Sequence, residues 1–297
     1  MSQKIRNIKL KHKSKPIRTT TIIFTLFGGY INPRGGEILT GNLIELLTPF
    51  GLSGNAIRLS LSRMSKQGLI RSRKKGRESY YSLTKKGNEL MLGGKHWALE
   101  KEYKPWDKKW RLLVYSIPEE MRHIRDTLRK KLRSIGFGSL SSSLWISPYD
   151  LKKELACLFK KLEVTKYVET FEAKYTGQRE GQKIAAKAWS IHGLENRYKE
   201  FLNKYSPPLS MLKEKIKKKK MIDSGECFAQ RFRVTAEFID IALDDPMLPL
   251  ELLPDNWVGL KAKKICLEYW EFLTPEVNKF VDSILKDGKS KGNQVKR

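Results

Sequence analysis

Apolar positions recur at helical spacing in the first third of the chain. Residues 20–27 form an apolar run long enough for a buried helix, and Leu43, Ile44, Leu46, Leu47 and Phe50 mark a second, closed by Pro49-Phe50-Gly51. A third stripe, Ala56, Ile57, Ser60, Leu61 and Met64, follows Ser53, a residue whose hydroxyl accepts well from the free amides of a first helical turn. Gly68 stops that helix. Two short strand-like runs, 69–73 and 79–83, then flank a Lys74-Lys75-Gly76-Arg77 turn. Helix, helix, turn, helix and hairpin predict a winged helix-turn-helix over residues 17–99, with a helix at 84–99 leaving the wing and interrupted by Gly93-Gly94. Gly35-Gly36 reads as a tight turn, since no strand-to-helix phosphate loop surrounds it.

A different pattern begins at Trp110. A strand at 110–117 ends at Pro118, and a basic amphipathic helix follows at 119–134. Short strands at 137–140 and 144–147 flank Ser141 to Ser143, a helix occupies 151–162, and a fourth strand occupies 164–171. The order βαββαβ predicts a ferredoxin-like domain at 106–175, joined to the first domain by a charged linker at 100–109. A C-terminal helical domain is expected over 183–285, with helices near 184–204, 208–220, 226–243 and 260–285. Pro246, Pro249 and Pro254 mark a long loop before the last of these. Residues 1–16 read as a flexible basic arm and 286–297 as a polar tail, so the fold class is α+β in three domains.

Charge sharpens this picture. The 297 residues carry 59 Lys and Arg against 32 Asp and Glu, a net charge of +27, which implies an anionic partner, nucleic acid first. Residues 53–83 alone hold eight basic side chains against Glu78. Asn55, Arg58, Leu59, Ser62 and Lys66 lie opposite the apolar stripe of the third helix, the position from which a recognition helix enters the major groove. The residues expected to contact double-stranded DNA are therefore Ser53, Asn55, Arg58, Ser62, Arg63 and Lys66 on the helix, with Arg73, Lys74, Lys75 and Arg77 on the wing. Arg63 lies at the helix flank, suited to a phosphate.

Other chemistry is sparse. Cys157, Cys227 and Cys266 sit far apart in apolar helical contexts, and the four histidines are scattered, so neither a disulfide frame nor a metal site is expected. No apolar run approaches the ~20 residues of a membrane span. The basic start has no apolar segment of the secretory kind, and a reducing cytoplasm is the expected compartment. No cofactor is expected.

Three blocks carry a resemblance. The first is Tyr30 to Gly36, YINPRGG, running into EILTGNLIELLTPFGLS. The second pairs Arg58 and Arg63-Met64 with a wing containing Gly76-Arg77 and Tyr80-Tyr81. The third is Asp245-Pro246-Met247-Leu248-Pro249 with Glu251-Leu252-Leu253-Pro254 and Trp257. In these blocks the chain resembles the phenylacetic-acid degradation repressors, the PaaX family, over residues 20–285. The resemblance implies a dimeric, winged-helix transcriptional repressor with a Cas2-like middle domain, released from DNA by an aryl- or acyl-coenzyme A thioester, phenylacetyl-coenzyme A above all. No residue is assigned to that effector. Trp145, Tyr149, Trp189, Tyr198, Trp257 and Trp270, among many Lys and Arg, suit either an acyl slot or a plain core.

Two rival functions remain. A DNA-organising protein without a ligand fits the charge equally well. A metal-dependent nuclease of the Cas2 kind needs an Asp at the end of the first middle-domain strand, and here that strand ends Tyr115-Ser116-Ile117-Pro118, with Glu119 and Glu120 following at a helix start. No catalytic residue is expected.

Overall fold

The computed structural model describes residues 19–92, 102–177, 180–218 and 223–290. The expected basic arm, residues 93–99 of the helix leaving the wing, and residues 291–297 of the tail lie outside the described residues. The described residues of 1–92, with those of 281–297, form one compact unit, and those of 93–280 form a second.

In the first unit α1 (Thr19–Leu26) runs into a wide turn at Phe27–Ile31 and a tight one at Asn32–Arg34. Gly35 and Gly36 follow with φ of 108° and 74°, left-handed values that make them the expected turn. Next come β1 (Glu37–Leu39), α2 (Thr40–Leu47), α3 (Gly54–Lys66), β2 (Ile70–Lys75), β3 (Glu78–Leu83) and α4 (Lys85–Leu92). The order is helix, strand, helix, helix, two-stranded hairpin and helix. β1 is an element the patterning does not predict, because three residues show no period. It pairs antiparallel with β3, so the hairpin becomes a three-stranded sheet in the order β1-β3-β2. Leu26, Leu43, Leu46, Leu47, Ile57 and Leu61 are all fully buried and hold the three helices together. α4 packs so closely on the start of the hairpin that a Cβ at Gly87 would lie 2.0 Å from the Leu69 carbonyl oxygen. The end of the last helix also joins this unit: Arg34 pairs with Asp282 at 2.9 Å, and the Asn42 side-chain amide donates to the Ile284 carbonyl at 2.9 Å.

In the second unit β4 (Trp110–Tyr115), α5 (Arg122–Ser134), β5 (Gly138–Ser139), β6 (Leu144–Ser147), α6 (Lys152–Leu162) and β7 (Val168–Ala173) follow the expected βαββαβ order. All pairings are antiparallel and the strand order is β5-β6-β4-β7, the ferredoxin-like arrangement. Leu113 and Trp145 on one face of the sheet pack with Leu128 and Leu132 of α5 and Phe159 of α6. On the other face Gly138 leaves room for Trp189, whose ring a Cβ there would meet at 2.5 Å.

The remaining elements are α7 (Gly181–Ala188), α8 (Ile191–Lys217), α9 (Ser224–Asp244) and α10 (Val258–Ser290). They depart from expectation in three places. The helix expected at 184–204 breaks at Trp189, where the backbone is extended and the indole stacks on Trp110 with centroids 6.4 Å apart. The break expected before 208 is absent, and α8 passes through Pro207 and Pro208. A proline inside a helix costs about 3 kcal/mol or more, so the pair reads as a boundary. Tyr198, Phe201, Tyr205, Leu209 and Leu212 nevertheless form one buried stripe across it, and that burial keeps the helix intact. Finally, α10 continues to Ser290, into what reads as tail.

The expected linker is also packed. The Tyr103 hydroxyl donates to buried Asp245 at 3.2 Å and accepts from the Trp257 indole at 2.8 Å, while the Tyr198 hydroxyl donates to the same carboxylate oxygen at 3.0 Å. The other oxygen accepts the Met247 amide at 2.7 Å. The Asp-Pro block is therefore a hydrogen-bonded keystone for residues 103, 198 and 245–257.

Candidate nucleic-acid interface

α3 begins as its sequence dictates. The Ser53 side chain accepts from the Ala56 amide at 3.3 Å, and Ile57, Leu61 and Met64 point into the core. Gly68, with φ 68°, ends the helix while the Leu69 amide returns to the Met64 carbonyl at 2.9 Å. The opposite face is left to solvent: Asn55, Arg58, Leu59, Ser62, Arg63 and Lys66 are all exposed. Leu59, 59 % exposed, is an apolar group on a surface otherwise made of hydrogen-bonding side chains.

The hairpin is longer than its sequence suggests. Its strands reach Lys75 and Glu78, which face each other, so only Gly76 and Arg77 form the tip. Gly76, at φ 61°, supplies the left-handed residue that so tight a loop requires. Because side chains alternate along a strand, Arg71, Arg73 and Lys75 share one face.

Of the eight basic side chains of residues 53–83, Arg71 donates to the Ser82 hydroxyl at 3.0 Å, and the other seven divide into two sets. Arg58, Arg63, Lys66, Lys74, Lys75 and Arg77 are exposed and make no ion pair with a carboxylate among the described residues. Arg73 differs. Glu37, brought alongside by β1, accepts from its Nε at 3.1 Å and from its terminal nitrogen at 2.5 Å. The hydrogen bond from Arg73 holds the Glu37 carboxyl below its ordinary pKa, and the same bond raises that of Arg73. Of the wing residues expected to meet DNA, Arg73 is thus already occupied. Its partner escapes sequence reasoning because the two are joined only by sheet pairing. Glu78 forms no ion pair with these cations among the described residues; it accepts from the Tyr80 hydroxyl at 2.8 Å, a bond that raises the Tyr80 pKa.

The second unit offers less chemistry. β4 ends at Tyr115, where a Cas2-like nuclease needs its Asp. The Tyr115 hydroxyl donates to the Ser142 carbonyl at 2.6 Å and accepts from Arg129 at 2.7 Å. Among the described residues no three His, Cys, Asp or Glu side chains stand together as metal ligands, and no helix is long and apolar enough to cross a membrane. Trp145, Tyr198 and Trp257 are core residues, at most 3 % exposed. Trp270 donates to the Thr235 hydroxyl at 2.7 Å and stacks under Arg231, and the Tyr149 hydroxyl donates to the Met247 carbonyl. A cavity of about 180 Å³ lies instead between α8 and α9, lined by Pro208, Met211, Leu212, Lys215 and Gln230.

Comparison with known proteins covers nearly the whole chain. Residues 18–87 match the model of the PaaX-like protein family, residues 103–185 that of the PaaX protein central Cas2-like domain, and residues 189–283 that of the PaaX-like protein C-terminal domain. The transcriptional repressor PaaX of Escherichia coli (strain K12) is 29 % identical over 269 residues, which are 90 % of this chain and 84 % of that one. An uncharacterized protein from Mycobacterium tuberculosis shares the fold, with a TM-score of 0.61 and 21 % identity over 90 % of this chain and 98 % of its own.

Proposed function

Because the chain belongs to the PaaX family, we propose that it is a transcriptional repressor whose first unit binds double-stranded DNA. The observation that carries this reading is the exposed face of α3 beside the hairpin tip, with six cations and no carboxylate partner among the described residues. The face is one helix wide, and the major groove, about 12 Å across, admits one helix. In this reading Arg58, exposed on that face, pairs with a guanine edge, and Asn55 and Ser62 flank it as shorter donors and acceptors. Arg77 at the tip, with Lys74 and Lys75 at the strand end beside it, reaches phosphate oxygens. Arg73 buttresses the wing through Glu37 and contributes no direct contact.

The repressor acts as a homodimer on a two-fold related operator, since one head offers too few base contacts for tight specific binding. Its effector is an aryl- or acyl-coenzyme A thioester, which the family resemblance supports and the core placement of the aromatic residues does not add to. The compartment is the cytoplasm, where its DNA lies.

Selection from a random duplex library by the full chain tests the central claim. Enrichment of a two-fold related motif is expected, and failure to enrich any duplex sinks it. Light scattering showing a monomer on and off DNA would remove the dimer. Calorimetry of phenylacetyl-coenzyme A with and without operator tests release: the ligand must bind the DNA-free protein more tightly, and equal affinities exclude an inducer role.

A further inference from the structure

The middle domain carries a second basic surface, on the side of its sheet away from Trp189. α5 and α6 together hold ten Lys and Arg against two carboxylates, Asp126 and Glu154. The rest of residues 102–177 holds six basic against eight acidic side chains. Chain-wide lysine enrichment spreads charge evenly, whereas here it is segregated onto one helical layer.

Within that layer some cations are used internally. Arg125 pairs with Glu119 at 2.8 Å, and Arg129 donates to the Tyr115 hydroxyl and, at 3.0 Å, to the Ser142 carbonyl. Lys130, Lys131, Lys153, Lys160 and Lys161 are exposed and pair with no carboxylate among the described residues. Arg133, also exposed, is held by stacking of its guanidinium 5.3 Å from the Trp145 ring centre. A rise of ~1.5 Å per residue puts Arg122, which also reaches Glu119 at 3.9 Å, and Arg133 about 16 Å apart along α5. That run spans a groove of about 12 Å, so one helix can meet phosphates on both of its sides.

The composition of the layer selects the partner. Protein interfaces have apolar or aromatic centres and are depleted in Lys. Among the described residues, none of the large exposed hydrophobic side chains lies on α5 or α6. A lysine-rich surface with no large exposed hydrophobic side chain suits a uniform anionic backbone and carries no base readout. We propose that the α5–α6 layer is a second DNA-contacting surface, binding phosphates of duplex without regard to sequence. The inference rests on the reading of the chain as a DNA-binding protein.

The test uses the full chain with Lys130, Lys131, Lys160 and Lys161 all replaced by Gln, changes that are exposed and leave the core of the domain untouched. Thermal unfolding verifies that the variant is folded, and Lys130→Gln/Lys131→Gln alone serves if it is not. Fluorescence anisotropy then measures operator affinity against salt. Removing one lysine–phosphate interaction flattens the plot of log K against log salt by about 0.9. A flattening of one or more is expected, together with an affinity loss of at least tenfold at low salt that is equal for operator and unrelated duplex. An unchanged slope in the variant, with the wild type still binding operator, overturns this proposal alone and leaves an acidic protein as the partner of the layer. A wild type that binds no duplex overturns the repressor reading and this proposal with it.

Discussion

Replacing Lys74, Lys75 and Arg77 with Ala removes three charges from the hairpin tip and the strand end beside it without touching the core. All three are exposed, and no carboxylate pairs with them among the described residues, so each is available to one phosphate. At about 0.9 per phosphate, the plot of log K against log salt should flatten by up to roughly 2.7. Between about 50 and 200 mM salt the wild type should then lose roughly fortyfold more affinity than the variant. Phosphates are alike at every sequence, so operator and unrelated duplex should weaken together. The control is Arg73→Ala with Glu37→Gln, which deletes a bidentate ion pair and leaves the net charge unchanged. Its salt slope should equal that of the wild type. Anisotropy titrations over a salt series give all of these slopes. A triple variant with an unaltered slope, or with an altered base preference, would refute the assignment of the tip to the backbone.

Four further outcomes are expected. Arg58→Ala should cost roughly 1–3 kcal/mol of operator binding and relax preference at one base position, read by gel-shift titration and library selection; unchanged binding would displace Arg58 from the groove. Gly87→Ala forces a methyl group against the Leu69 carbonyl, a backbone atom that cannot step aside, and overpacking of this kind costs about 1–3 kcal/mol; calorimetry should show a lower Tm for the first unit, and an unchanged Tm would contradict the close approach. Asp245→Ala leaves the Tyr103 and Tyr198 hydroxyls and the Met247 amide without their acceptor, at a cost of about 3 kcal/mol or more in denaturant unfolding; a variant as stable as the wild type would show that the keystone is dispensable. Burial pushes the Cys227 thiol up to about 11 and the Cys266 thiol and Tyr269 phenol up to about 12. Folding favours the neutral forms, so this stabilisation is full below the ordinary thiol and phenol values and is lost as pH rises through 11 to 12. At pH 8 alkylation followed by mass spectrometry should label exposed Cys157 and spare the other two; the reverse order would be incompatible with this packing.

Much of the first unit is determined locally and was legible in the sequence. The Ser53 cap, the stripe of Ile57, Leu61 and Met64, and the Gly68 stop act within a few residues of one another, so the chain encodes α3 and its open face without help. The βαββαβ order is legible for a related reason, since its helices carry their own period and short runs between turn residues mark the strands. What tertiary structure decided are relations between distant residues. β1 has no period of its own and exists through pairing with β3; that pairing brings Glu37 to Arg73 and gives one exposed cation of the wing a carboxylate partner. The prolines of α8 look like a boundary until the buried stripe on both sides outweighs their local cost. Trp189 breaks a helix because Gly138, some fifty residues earlier, leaves a hollow for its ring. The segment near Tyr103 reads as a linker because its partners, Asp245 and Trp257, lie more than 140 residues away. Capping, periodicity and turn chemistry act over one or two turns, which a sequence displays. Pairing, burial and buried polar partnerships act across folds of the chain, and only the folded molecule brings those residues together.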